Sequence, residues 1–253
     1  MAERFTTSRG GVRIADSFRS NLIVDRYDPI FVGMRASKLK HLCSENSEDA
    51  VTWNVFRSLR QIDPGAWLPK LRDEASLPGQ ALSTDGVAVT VWRDVPPPPA
   101  LLLEGDEGTS EIDIVIEAPT WVWFIEAKFR SDISGGTTTR PDRDQILRNI
   151  DVGSYYAGVR EFFFSLLVKD AGTSRKGITA IEEYSDLVHT RSILDSHRPD
   201  GLENLRSIGV LEWQQLGRVL ASAAATARNE DECEIARRAL AWLREKGLAE
   251  SAG

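Results

Sequence analysis

The 253-residue chain carries 31 Lys and Arg against 38 Asp and Glu, a net charge of -7, with 42% hydrophobic and 27% charged residues. That balance excludes a largely disordered chain and leaves no global attraction to nucleic acid, so any such partner needs a local basic surface. Two distant cysteines, Cys43 and Cys233, exclude a disulfide framework, and no apolar run reaches the ~20 residues that cross a bilayer, so a cytoplasmic protein without a membrane partner is expected.

A single domain over 1–253 is expected. Its first forty residues, with RIADSF, NLIVDRY and PIFVGM, read as short strands or irregular segments broken by Gly10, Gly11, Pro29 and Gly33, a β or irregular extension over 1–43. From Ser44 the pattern turns helical. In SENSEDAVTWNVFRSLRQ, Ser44 or Ser47 can cap the N-terminus, acids fill the first turn, and Val51, Val55, Phe56 and Leu59 fall on one face. The valine-rich 85-DGVAVTVWRDV-95 reads as a strand, and Pro96 to Pro99 as an extended connector leaving the sheet.

Next comes 111-EIDIVIEAPTWVWFIEAKFR-130, read as a hairpin with strands near Ile112 to Glu117 and Val122 to Phe129. Alternation places Glu111, Asp113, Val115 and Glu117 on one face, and Val122, Phe124, Glu126 and Lys128 on the matching face of the second strand. Ile112, Ile114, Ile116, Trp121 and Trp123 then form the buried side. Pro119 cannot adopt the positive φ of a type I′ turn, so a symmetric four-residue loop around Pro119 and Thr120 is expected. That register sets Asp113 opposite Glu126 and Glu111 opposite Lys128.

Two carboxylates facing each other across a ladder repel unless a positive charge intervenes or one is protonated. A divalent cation answers that need, because Mg²⁺ takes hard oxygen ligands and leaves positions for water and phosphate. A neighbouring lysine can orient or deprotonate a water and offset charge on a phosphoryl transition state. The competing reading is structural, a charged sheet face held by a Glu111–Lys128 ion pair.

A polar loop, SDISGGTTTRPDRD, is expected to be mobile. A helix, DQILRNIDVGSYYAGVR, follows it, and FFFSLLV is short enough to be a buried strand. The chain then becomes helical over about 200–250: LEWQQLGRVLASAAATARN is alanine-rich and periodic, and DECEIARRALAWLREKG places acids first and bases last. The fold class is therefore α/β, a mixed central sheet flanked by helices, with a helical C-terminal region.

The order of helix with Glu, strand with Asp, Glu-Ala-Lys on the next strand, and helix beginning Gln-x-x-x-Asn resembles the PD-(D/E)XK nuclease superfamily, the restriction-endonuclease-like fold. The resemblance covers a core of about 44–170. It implies that Asp113, Glu126 and the Ala127 carbonyl hold Mg²⁺ (or Mn²⁺) and that Lys128 stands beside the attacking water. The upstream acid would be Glu48 or Glu45, with Glu48 favoured because it tops the core-facing stripe of its helix. Gln145 would join the catalytic group, and Arg130, Arg143, Arg148 and Asn149, with Arg140, would meet nucleic acid. Ile112 replaces the proline of the family pattern. The function so implied is metal-dependent hydrolysis of phosphodiester bonds, in DNA above all, in restriction or defence, as a homodimer or within a larger defence complex. The alternative is a non-catalytic nucleic-acid- or protein-binding subunit built on the same fold.

Overall fold

A computed structural model describes residues 5–79, 81–103, 108–136, 143–198 and 202–250. Arg140 and the middle of the loop expected to be mobile lie outside these residues.

Five apolar segments pair into one sheet: β3 (Ala88–Val95), β4 (Ser110–Glu117), β5 (Trp121–Ala127), β6 (Glu161–Val168) and β7 (Leu205–Glu212), in spatial order β3-β4-β5-β6-β7. β3, β4 and β5 run antiparallel in sequence, whereas β5-β6 and β6-β7 are parallel pairs. The sheet is thus mixed, and the class is α/β. A short hairpin, β1 (Phe5–Thr7) with β2 (Arg13–Ala15), stands apart from it in the N-terminal region.

Both faces of the sheet are covered. On one, Ile114, Ile116, Trp121, Trp123 and Ile125 join a core with Trp53 and Phe56 of α2 (Glu48–Leu59), Trp67 and Leu71 of α3 (Pro64–Glu74), Leu216 of α8 (Trp213–Thr226) and Leu243 of α9 (Glu230–Glu245). On the other, Val115, Val122, Phe124, Phe162 and Phe164 pack under Ile146 and Ile150 of α5 (Gln145–Ala157), Ile181 of α6 (Arg175–Tyr184) and Leu194 of α7 (Leu187–Leu194). The remaining helices, α1 (Ala36–Leu42) and α4 (Pro99–Leu103), are short. A strand buried on both sides cannot show hydrophobic alternation, and all seven residues of β5 are buried. This corrects the expectation of a charged face standing against a buried apolar one.

Several elements form where the local pattern argues otherwise. In PGAWLPKLRDE two prolines and a glycine mask α3, which Asp63 caps by accepting from Gly65 N, with Pro64 in the first turn where its missing N–H costs nothing. The extended connector ends at Pro98, because Pro99 starts α4. LRSIGVLE, inside the region expected to be helical, becomes β7 and closes the open edge of β6. The Ser47 cap is as expected, its side chain accepting from Ala50 N at 3.1 Å.

The hairpin register is also the expected one. Ile114 faces Ile125 and Val115 faces Phe124, and the tip is closed by one main-chain bond, Ala118 N to Trp121 O at 2.9 Å. Alternation fails further up β4. Trp92 of β3 takes φ +53, a left-handed conformation that is costly for a bulky side chain. Trp92 joins Val91 on the α2 side, stacked on Trp53 at 5.1 Å, while Ile112 joins the α5 side and Ile114 the α2 side. Glu111 consequently forms its ion pair with Lys38 and not with Lys128.

Gly153 shows how closely α5 seats on the sheet. A Cβ there would lie 2.2 Å from Phe162 Cζ and 2.8 Å from Phe124 Cδ2. Gly153→Ala is therefore expected to destabilise the fold by about 1–3 kcal/mol through overpacking, against the helix propensity that alanine adds. Urea denaturation of the two proteins measures this, and equal or greater stability in the variant would show that α5 can back away from the sheet without cost.

Candidate active site

The cluster forms at one end of the sheet, where β4 and β5 part. Beyond the Ile114–Ile125 pair, the Asp113 carboxylate takes over from the main-chain ladder: its Oδ2 accepts from Ala127 N at 2.9 Å. Glu126 and Lys128 are two residues apart in an extended chain and share a face. Lys128 Nζ donates to Glu126 Oε1 at 2.7 Å and lies 3.6 Å from Glu48 Oε1.

Glu48 is the first residue of α2. Its Oε2 accepts from Phe129 N at 2.7 Å and from Ser131 Oγ at 2.8 Å, so the start of the helix is bound to the chain leaving β5. Glu45 is engaged elsewhere, its Oε1 accepting from Arg13 N at 2.7 Å. From the start of α5, Gln145 Nε2 donates to Glu126 Oε1 at 2.6 Å and Asn149 Nδ2 donates to Glu126 Oε2 at 2.8 Å. Four elements thus bring together Glu48, Asp113, Glu126, Lys128, Gln145 and Asn149.

The backbone beneath this cluster is held from both sides. Lys128 N donates to Leu167 O at 2.7 Å, and Trp213 Nε1 donates to Lys128 O at 3.0 Å. Just downstream, Asp132 accepts from Lys176 N and Gly177 N, and Ser174 Oγ donates to Ser131 O. Trp213, Ser131 and Asp132 carry no sequence signal of these roles, because their partners are 43 to 85 residues away.

Burial sets the electrostatics. Glu126 is 1% exposed and Lys128 8%. Loss of hydration and the adjacent Glu126 carboxylate push the Asp113 carboxyl well above its ordinary range, against the pull of Lys128 and the Ala127 N–H. Burial pulls the Lys128 ammonium down, but Glu126, Asp113 and Glu48 outweigh it and hold the group above its usual value. Lys128 accordingly stands as a charged donor to Glu126.

Two buried atoms at the start of α5 have no hydrogen-bond partner, Asn149 Oδ1 and Arg148 Nε. Arg130 is exposed, with its guanidinium 5.2 Å from the Phe129 ring. Arg143 is buried and engaged with Asp151, its Nη2 donating to Oδ2 at 2.8 Å, so its side chain belongs to a second polar cluster. Among the described residues, no group of three or more His, Cys, Asp or Glu side chains is arranged to hold a metal ion. No described helix is long and apolar enough to cross a membrane.

Comparison with known proteins finds no matching family model, no matching curated protein and no matching solved structure.

Proposed function

We propose that this chain is a divalent-metal-dependent nuclease of the PD-(D/E)XK superfamily, with a restriction-endonuclease-like fold, that hydrolyses phosphodiester bonds in DNA. The observation that carries the reading is the gathering of the half-buried Asp113, which accepts from Ala127 N, with the buried Glu126 and with Lys128, which donates to Glu126 and lies 3.6 Å from Glu48. Carboxylates crowded together repel unless a cation joins them, so a like-charged pair of this kind supports a functional site. The order of its parts agrees: Glu48 opens α2, Asp113 lies on β4, Glu126 closes β5 with Lys128 just after, and Gln145 and Asn149 lie on α5.

The donor set fits a hard divalent cation. Asp113, Glu126 and the Ala127 carbonyl offer two carboxylates and a neutral oxygen, with the remaining positions left to water and phosphate as Mg²⁺ prefers. The two side-chain donors do not require a third acid, and Glu48 can complete the set through water. Mg²⁺ or Mn²⁺ bound there would supply Lewis-acid polarisation of a phosphoryl oxygen and a water of lowered pKa. The chain's own groups do the rest. Lys128, held charged by its acidic neighbours, orients the water and offsets negative charge developing on phosphorus. Gln145 and Asn149 fix the Glu126 carboxylate, and Arg148, whose Nε has no hydrogen-bond partner, would contact phosphate.

A second reading rests on the closure of the network. Both Glu126 oxygens already have partners, so the same fold could serve as a non-catalytic binding subunit. Plasmid cleavage separates the two. The purified chain should nick or cut DNA with Mg²⁺ or Mn²⁺ and not with chelator, and Lys128→Ala should slow this by about a hundredfold or more. No metal-dependent cleavage of duplex DNA, single-stranded DNA or RNA would sink the enzymatic reading and leave the binding subunit.

A further inference from the structure

The N-terminal hairpin and the end of α9 play no part in the sheet or in the carboxylate cluster, yet they meet beside it. The hairpin turn at Gly10–Val12, the chain at Glu45–Asn46, the pair Phe129–Arg130 and Lys246 enclose a cleft of about 270 Å³. A second cavity of about 460 Å³ shares Glu45, Glu245 and Lys246 with it and extends past Arg13 to Phe5 and Trp242.

Three cations converge on this groove. Arg13 lies over the Phe5 ring at 4.3 Å, Arg130 over Phe129 at 5.2 Å, and Lys246 over Trp242 at 4.9 Å, with Lys246 Nζ donating to the main-chain oxygen of Glu45 at 3.0 Å. Among the described residues no ion pair engages any of the three. Two acids lie in reach. The Glu45 carboxylate is turned to Arg13 N, and Glu245 is exposed to solvent. In a chain of net charge -7, this is a local reversal of sign. Burial holds the Lys246 ammonium below the usual lysine range, and Arg13 and Arg130 add to this against the pull of Glu45 and Glu245, so an arriving anion would relieve the group.

The groove adjoins the candidate active site through Phe129. Phe129 N, on its wall, donates to Glu48 Oε2, and Arg130 is the next residue. A strand lying across the cluster would therefore run into it. Guanidinium forks match phosphate oxygens, and a lysine adds a point charge.

We propose that Arg13, Arg130 and Lys246 form a phosphate subsite that holds the backbone of the DNA strand on the Glu48 side of the scissile bond. This rests on the nuclease reading and gives the two chain ends a shared task in substrate binding.

Salt-dependent binding tests it. Full-length Asp113→Asn protein, used to prevent cleavage, is titrated with a fluorescent DNA duplex by anisotropy across about 50–200 mM salt, where the slope of log affinity counts neutralised phosphates at about 0.9 each. Adding Arg13→Gln, Arg130→Gln and Lys246→Gln together should flatten the slope by about 2–3, and Arg130→Gln alone, which has no hydrogen bond or ion pair to lose, by about 1. The loss should be equal for unrelated sequences. A triple variant with the parent's slope and affinity overturns the subsite alone. A parent that does not bind the duplex, with a wild type that does not cut, overturns the nuclease reading and the subsite with it.

Discussion

Asp113→Asn is expected to reduce metal-dependent DNA cleavage by about a thousandfold or more while making the protein more stable at neutral pH. The two effects have one cause. Asparagine keeps an oxygen to accept from Ala127 N, which Asp113 now engages at 2.9 Å, but it removes the charge that Glu126 and burial oppose. The sign with pH follows. A carboxyl raised in the folded state favours its protonated form there, so wild-type stability falls as pH climbs from the ordinary value of ~3.9 through the raised one. The variant lacks this fall, and its advantage in thermal midpoint should be absent near pH 4 and grow toward neutrality. Adding Mg²⁺ should raise the wild-type midpoint by mass action and leave the variant's nearly unchanged. Calorimetry at several pH values, with and without Mg²⁺, measures all three. A variant less stable than wild type at neutral pH would mean that the carboxylate is a structural acceptor, and retained cleavage would remove Asp113 from the catalytic group.

Asp151→Ala should cost about 3–5 kcal/mol, because it removes the carboxylate from a buried charge network. Asp151 is fully buried on α5. Its Oδ2 lies 2.8 Å from Arg143 Nη2 and 2.7 Å from His197 Nε2, and its Oδ1 accepts from Arg198 Nη1 at 3.0 Å. Arg143 and Arg198 are themselves buried, so neither can recover full hydration when the carboxylate goes. Burial works against ionisation of Asp151, but the His197 hydrogen bond and Arg143 outweigh it and hold the carboxyl below its ordinary range. A depressed folded value means that this stabilisation is present above ~3.9 and is lost as pH falls through the folded pKa. Urea denaturation at neutral pH gives the loss directly, and a change below about 1 kcal/mol would show that the cluster is dispensable. Because Asp151 is remote from Glu126 in its contacts, residual folded protein should keep its divalent-ion response, which separates this role from that of Asp113.

Arg143 shows how a buried partner escapes a local reading. Next to a polar loop with other arginines, it reads as a solvated phosphate contact, yet its partner Asp151 is eight residues on and the cluster closes with His197 and Arg198. Glu111 is a second such case. Strand alternation sends it toward Lys128, and the break at Trp92 sends it to Lys38 instead. No local pattern announces a left-handed tryptophan inside a valine-rich strand.

By itself the sequence determined what depends on neighbours a few residues away. Ser47 caps α2 because its hydroxyl reaches Ala50 N, and the Pro119–Thr120 tip sets the hairpin register because loop length fixes pairing. With register fixed, Asp113, Glu126 and Lys128 must lie together. Only the tertiary structure decided what depends on groups brought from afar. It bound Glu48 to Phe129 N and Glu45 to Arg13 N, covered the charged face with α5, and added β7 to the sheet. Those outcomes turn on competition among distant partners for burial and hydrogen bonds, a quantity that a linear pattern does not contain.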